Sequence, residues 1–210
     1  MSKVLARFLT VSLMATPAFA DTEAQKEPVA NQQKRTTLYV GVDVLRGDSD
    51  FDVTVSGDLV GKTTVNSDLD GFRLKFGAKL QNNWRLQGFF KSEDSDFFDN
   101  NIYGIGIDVI KAFEVTEKFY PFIQAGVSSD WTELDVVPGA VFSEDNLSAI
   151  SLKVGAGAIY QLADNVEILG GIDFQYRQWQ DIELYDYFTR INVEQDDTAD
   201  VLYLGLNVSF

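Results

Sequence analysis

Eight stretches of this chain alternate apolar and polar residues with a period of two, each over about ten residues: 36–46, 71–80, 84–91, 101–111, 119–128, 149–162, 166–177 and 201–210. A period of two means a strand with two unlike faces. In the second stretch Phe72, Leu74, Phe76, Ala78 and Leu80 oppose Arg73, Lys75, Gly77 and Lys79. In the last, Leu202, Leu204, Leu206, Val208 and Phe210 oppose Tyr203, Gly205, Asn207 and Ser209. Past residue 20 nothing approaches the ~20 apolar residues of a spanning helix. If the chain crosses a membrane, it must do so as a closed ring of strands, because lipid offers no partner to an open strand edge.

Alternation alone does not say which face looks outward. A soluble ligand-binding barrel also alternates, with its apolar face inside. Volume decides between the two. Each strand carries four or five large apolar side chains on one parity, and an eight-stranded barrel has room inside only for a modest filling. The other parity is rich in Gly (Gly41, Gly77, Gly104, Gly126, Gly155, Gly205) with charges between. The apolar face is therefore expected to meet lipid, and the glycines and ions to line the axis. Trp84, Phe119, Tyr160 and Phe210 near one set of strand ends, and Phe90 and Tyr176 near the other, fit interfacial girdles. Connections alternate long (47–70, 92–101, 129–148, 178–200) and short (after Leu80, Ile110 and Leu162). That asymmetry is the one expected of long external loops and short periplasmic turns. The expected fold is all-β: an eight-stranded antiparallel up-and-down transmembrane β-barrel over 36–210, with both termini periplasmic.

Residues 1–20 read as a cleaved signal peptide: Lys3 and Arg7, an apolar run, then Ala18-Phe19-Ala20 before Asp21. Residues 21–35 are polar and aperiodic, a flexible tail. After cleavage, 15 basic and 32 acidic residues leave a charge of −17, which argues against a nucleic-acid partner. The chain has no Cys and no His. That removes disulfides, thiolate sites and every His-dependent catalytic set. No cofactor is expected.

The terminal pattern Tyr203-x-Gly205-x-x-Val208-x-Phe210 resembles the C-terminal assembly signal of bacterial outer-membrane β-barrels. Together with the strand pattern, the chain resembles small eight-stranded members of the OmpA-barrel, OmpX and opacity-protein type. The resemblance implies the outer membrane of a Gram-negative bacterium. It also implies contact with lipid and lipopolysaccharide, handling by periplasmic chaperones and the barrel assembly machinery, and a monomeric state. Enzymes of this architecture use His, which this chain lacks; a carboxylate-only glycosidase would need a cleft that nothing here implies.

Two sets of charges remain. On the inward parity Arg73, Lys75, Lys79, Arg85, Lys91, Lys153 and Arg177 stand against Asp43, Asp108, Glu167 and Asp173, a lumen charge of +3. Buried charges need partners, so the expectation is a salt-bridged plug. The four long connections hold 22 acids, with Lys62 and Arg190 as their only bases. Asp48, Asp50 and Asp52, or Asp196 and Asp197, offer hard oxygen ligands for Ca²⁺, without EF-hand spacing. Apolar residues such as Phe51, Trp131, Trp179 and Ile182 also fall in these connections. They imply either strands that continue past the membrane or a contact surface. The resulting reading is a non-catalytic barrel with a structural or surface-interaction role, in envelope integrity or adhesion. The alternative is a narrow OmpW-like channel for small or apolar solutes.

Overall fold

The computed structural model describes residues 36–57, 60–96, 98, 100–133, 141–142, 146–186 and 189–210. The signal peptide and the tail expected over 1–35 lie outside the described residues.

Ten strands form: β1 (Thr37–Gly57), β2 (Gly61–Lys79), β3 (Trp84–Ser95), β4 (Ile102–Ala112), β5 (Phe119–Glu133), β6 (Val141–Phe142), β7 (Asn146–Ala163), β8 (Val166–Trp179), β9 (Ile182–Asp186) and β10 (Thr189–Ser209). Eight of them are staves of a barrel, ordered β1-β2-β3-β4-β5-β7-β8-β10, and β1 pairs with β10 to close the ring. All neighbours run antiparallel. The closing seam extends from Tyr39 opposite Ser209 to Gly57 opposite Ile191.

Following the cross-strand partners around the ring from Val42, through Leu74, Phe90, Ile105, Ser129, Ile150, Gln178 and Asp196, returns the path to β1 at Asp52. The path has climbed ten residues. A climb of this size over eight strands tilts the staves by about 40° and leaves an interior that side chains can fill.

Short connections gather at one end and long ones at the other. At the short-turn end, Asn82 and Asn83 take φ of 56° and 60° to reverse β2 into β3, a conformation that asparagine tolerates better than most residues. At the loop end the strands outlast their apolar stretches. β1 extends eleven residues beyond Arg46, and β2 begins ten residues before Gly71. The loop expected over 47–70 is therefore mostly hairpin. Its outward positions carry Asp48, Asp50, Asp52 and Asp68, so the apolar alternation stops while the backbone ladder continues. β9 adds to β10 and β6 adds to β9. Past the barrel rim this leaves a sheet in the order β2-β1-β10-β9-β6.

Large apolar residues stand in the open on the outer face: Val44 is 67% exposed, Leu204 65%, Phe76 56% and Ile107 55%. A monomer in water rarely exposes a continuous apolar belt of this extent. Charged residues instead fill the inside, where Asp43, Asp108 and Arg177 are fully buried.

The filled lumen and the loop-end sheet

The lumen holds three tiers of ion pairs. At the turn end, Glu167 receives Arg85 in a forked contact at 2.7 and 3.2 Å and Lys79 at 2.8 Å. In the middle, Arg73 bridges Asp43 at 2.8 Å and Asp173 at 3.1 Å, and Lys75 also pairs with Asp43. Lys153 lies 3.0 Å from Asp108 and 3.8 Å from Asp173. Gln87 donates to Asp108 and accepts from the Tyr39 hydroxyl. The rings of Phe89 and Tyr203 lie under Lys153 and Arg73, at 4.2 and 4.8 Å. Arg73 and Lys153 thus each have a carboxylate and an aromatic face, the arrangement that offsets loss of water.

The loop-end tier contains residues that the strand stretches did not reach. Arg177 contacts Glu93 at 3.0 Å, Asp197 at 3.4 Å and Asp130 at 3.6 Å. Lys91 contacts Glu93 at 3.0 Å and Asp130 at 3.4 Å. Trp179 donates its indole N–H to Asp197 at 2.8 Å. Glu93, Asp130 and Asp197 are buried, and among the described residues they bring the lumen to seven acids against seven bases. The expected charge of +3 is corrected to zero. The signal was present in the sequence: Glu93 keeps the parity of Lys91, Asp130 that of Gly126, and Asp197 that of Val201. It was obscured because the outward residues beside Glu93 and Asp197 become polar and Asp130 follows the polar pair Ser128-Ser129, which reads as a loop.

Apolar side chains close the lumen between and above the tiers. Ile110, Phe122, Ile159 and Leu169 pack near the turn end. Phe51, Ile102, Leu147 and Trp179 pack at the loop end, with Phe98 and Ile182 against them. Phe98 meets Phe51 edge-on at 5.5 Å and Trp179 at 5.3 Å. Phe51, Trp179 and Ile182, which the sequence placed in long connections, are here part of the lid over the ion pairs, whereas Trp131 lies against Tyr103 on the outer face.

Four lumen aspartates each face a glycine directly across a strand seam: Asp43 and Gly205, Asp108 and Gly126, Asp130 and Gly104, Asp173 and Gly155. A Cβ on any of these glycines would come within 1.9–2.2 Å of the carboxylate oxygen. Within the terminal pattern, Tyr203 and Gly205 thus face the lumen, while Val208 and Phe210 face out.

The candidate cation ligands do not converge. Asp196 and Asp197 are neighbours on one strand and point to opposite faces; Asp197 belongs to the lumen and Asp196 to the outside. Asp48, Asp50 and Asp52 share the outer face but sit at every second position, about 7 Å apart. Asp50 accepts from Asn66, and Asp52 from Thr64 and Lys62. Among the described residues no group of three or more acidic ligands could hold a metal ion.

The sequence matches the family described as the outer membrane protein beta-barrel domain over residues 6–210. The chain belongs to the outer-membrane β-barrel family. No curated protein sequence matches it. Among solved structures this outer-membrane barrel is similar to Neisserial surface protein A, with 18% identity, TM-score 0.55, and coverage of 84% of this chain and all of that one. It is also similar to the outer membrane protein OprG of Pseudomonas aeruginosa, with 14% identity, TM-score 0.52, and coverage of 81% and 96%. A third is the outer membrane protein AlkL, solved in lipid bilayers, with 12% identity, TM-score 0.51, and coverage of 91% and 97%. At these identities the likeness is one of fold.

Proposed function

We propose that this outer-membrane barrel is a non-catalytic cell-surface protein whose working part is the loop-end sheet. The loop end faces outward and both termini face the periplasm. One observation carries the reading: the lumen is filled from end to end with paired charges and apolar plugs, while β1, β2 and β10 run on past the apolar belt. A sealed stave ring that holds up an extended sheet is suited to contact and to envelope integrity. It is poorly suited to transport, which weighs against a narrow OmpW-like channel. The buried carboxylates are each held by cations and at most 4% exposed, which weighs against hydrolysis by a carboxylate pair.

The sheet's outer face carries Asp48, Asp50, Asp52, Asp196 and Asp200; the exposed cations among its described side chains, Lys62 and Arg46, are paired to Asp52 at 3.4 Å and to Asp70 at 3.8 Å. Its chemistry favours a basic protein surface as partner. The membrane-facing belt contacts lipid and lipopolysaccharide. Val208 and Phe210, on the outer face of β10, are open to the barrel assembly machinery after chaperone transit, and the protein acts as a monomer.

Two measurements test this reading. In planar bilayers the purified protein is expected to give no steady conductance; a stable pore would favour the channel. In nanodiscs it is expected to bind immobilised basic protein. Replacing Asp48, Asp50 and Asp52 by Asn should weaken that binding at least several-fold and reduce its salt dependence. Unchanged binding would remove the sheet from the role.

A further inference from the structure

The climb of ten residues per circuit fixes which outward positions on different strands stand at one height along the barrel axis. It amounts to one and a quarter residues per seam. On this scale Arg46, Asp70 and Asp200, on β1, β2 and β10, are level with Leu152 and Tyr176 on β7 and β8, and with Ser129 on β5. Charge begins at that height on one wall. On the other wall the apolar surface continues upward through Tyr103 and Ile150 to Trp131. Ile150 is 70% exposed and Leu152 54%. The rings of Phe90, Tyr103 and Trp131 form a rising series with centroids 6.2 and 6.3 Å apart. At the turn end no comparable offset exists: Leu38, Leu80 and Phe210 on one wall end within about a residue of Phe119 and Val166 on the other.

The apolar belt is therefore taller on the β4-β5-β7-β8 wall. The excess is two to three residues of strand, roughly 5–7 Å along the axis at ~3.3 Å per residue and ~40° tilt. Carboxylates cannot enter the hydrocarbon cheaply, and exposed Ile, Leu and Tyr gain by staying in it. A level lipid boundary would satisfy one wall only.

We infer that the lipid boundary at the loop end is not level around this barrel: acyl chains cover the β4-β5-β7-β8 wall up to Trp131 but stop below Asp200 on the wall opposite. The occupant of the upper apolar patch is lipid, because the patch is continuous with the lipid-facing belt. Local thinning of the bilayer beside the charged wall produces this boundary and leaves the turn-end edge level, whereas a rigid tilt would also set the reference positions at unequal depth.

The absence of Cys allows a direct test. Single-cysteine variants Ser129→Cys and Asp200→Cys, at one height on opposite walls, are spin-labelled in the full barrel reconstituted in phosphatidylcholine vesicles. Val42→Cys and Ala156→Cys, level with each other lower in the belt, serve as a deep reference pair. Depth is read from the relative access of oxygen and a water-soluble nickel chelate. The expected result is a Ser129 label about 5 Å or more deeper than the Asp200 label, with the reference pair equal. Equal depth at Ser129 and Asp200 would overturn the inference. So would a Ser129 label as open to the chelate as that at Asp200, which would leave the patch in water and free for a protein partner.

Discussion

Gly205 lies directly opposite Asp43 across the seam that closes the ring, and a Cβ at Gly205 would sit 1.9 Å from the Asp43 Oδ1. Asp43 is fully buried and holds both Arg73 and Lys75. Its carboxylate can reach them only because the facing residue has no side chain. Gly205→Ala is expected to cost about 3 kcal/mol, the scale of a disrupted buried ion pair. Gly88 is the control: it faces outward, and its nearest neighbour to an added Cβ is at 3.8 Å. Gly88→Ala should be near neutral. Urea unfolding of the barrel refolded in micelles measures both. Equal effects would remove the proposed role of the Asp43 contact.

Arg177 is the hub of the loop-end tier. Arg177→Met would leave Glu93, Asp130 and Asp197 with Lys91 as the remaining cation near them. The expected loss is about 3–5 kcal/mol, without any gain in conductance because the apolar lid stays in place. Thermal unfolding and bilayer recordings on the same preparation give the two readouts.

Leu74 is half exposed on the outer face, near the middle of the belt. Leu74→Lys should destabilise the folded barrel in lipid by about 2–4 kcal/mol if it sits near the midplane. A neutral effect, measured by equilibrium folding into vesicles, would contradict the assignment of that face to lipid.

Asp196 faces Asp52 across the β1–β10 seam, beyond the apolar belt. Partial burial, and then the Asp52 charge, push the Asp196 carboxyl above its ordinary value. A folded-state pKa above the unfolded one means that the folded barrel takes up this proton more readily. The site therefore costs stability above the folded pKa, and that cost is gone below the unfolded value of about 3.9. Asp196→Asn is expected to raise the melting temperature near pH 7 and to leave it unchanged near pH 3. An equal effect at both values would separate the substitution from this titration.

The belt was readable in the sequence because lipid demands an unbroken apolar parity, and Leu202, Leu204, Leu206, Val208 and Phe210 supply one. The lumen was readable in part. Lys75 and Asp173 stand in strands whose outer parity is greasy, so their inward direction follows. Glu93 and Asp197 stand where the outer parity has turned polar, and there periodicity no longer separates a strand in water from a loop; Asp130 follows the polar pair Ser128-Ser129, which interrupts the alternation before Trp131 resumes it. Only the pairing partners do, and those come from distant segments: Trp179 for Asp197, Arg177 for Glu93. The lid met the same limit. Phe51 and Phe98 are 47 positions apart in the chain and gain their meaning only from contact.

The first and last staves share nineteen paired positions, whereas β4 is joined to each neighbour by ten. The join made between chain ends is thus as long as that of β1 with β2 and longer than any other in the ring, and the stave in the middle of the sequence shares the fewest paired positions. Any breach of the wall, whether by force, denaturant or a lipid wedge, would begin beside β4 and leave β1 zipped to β2 and β10 until last.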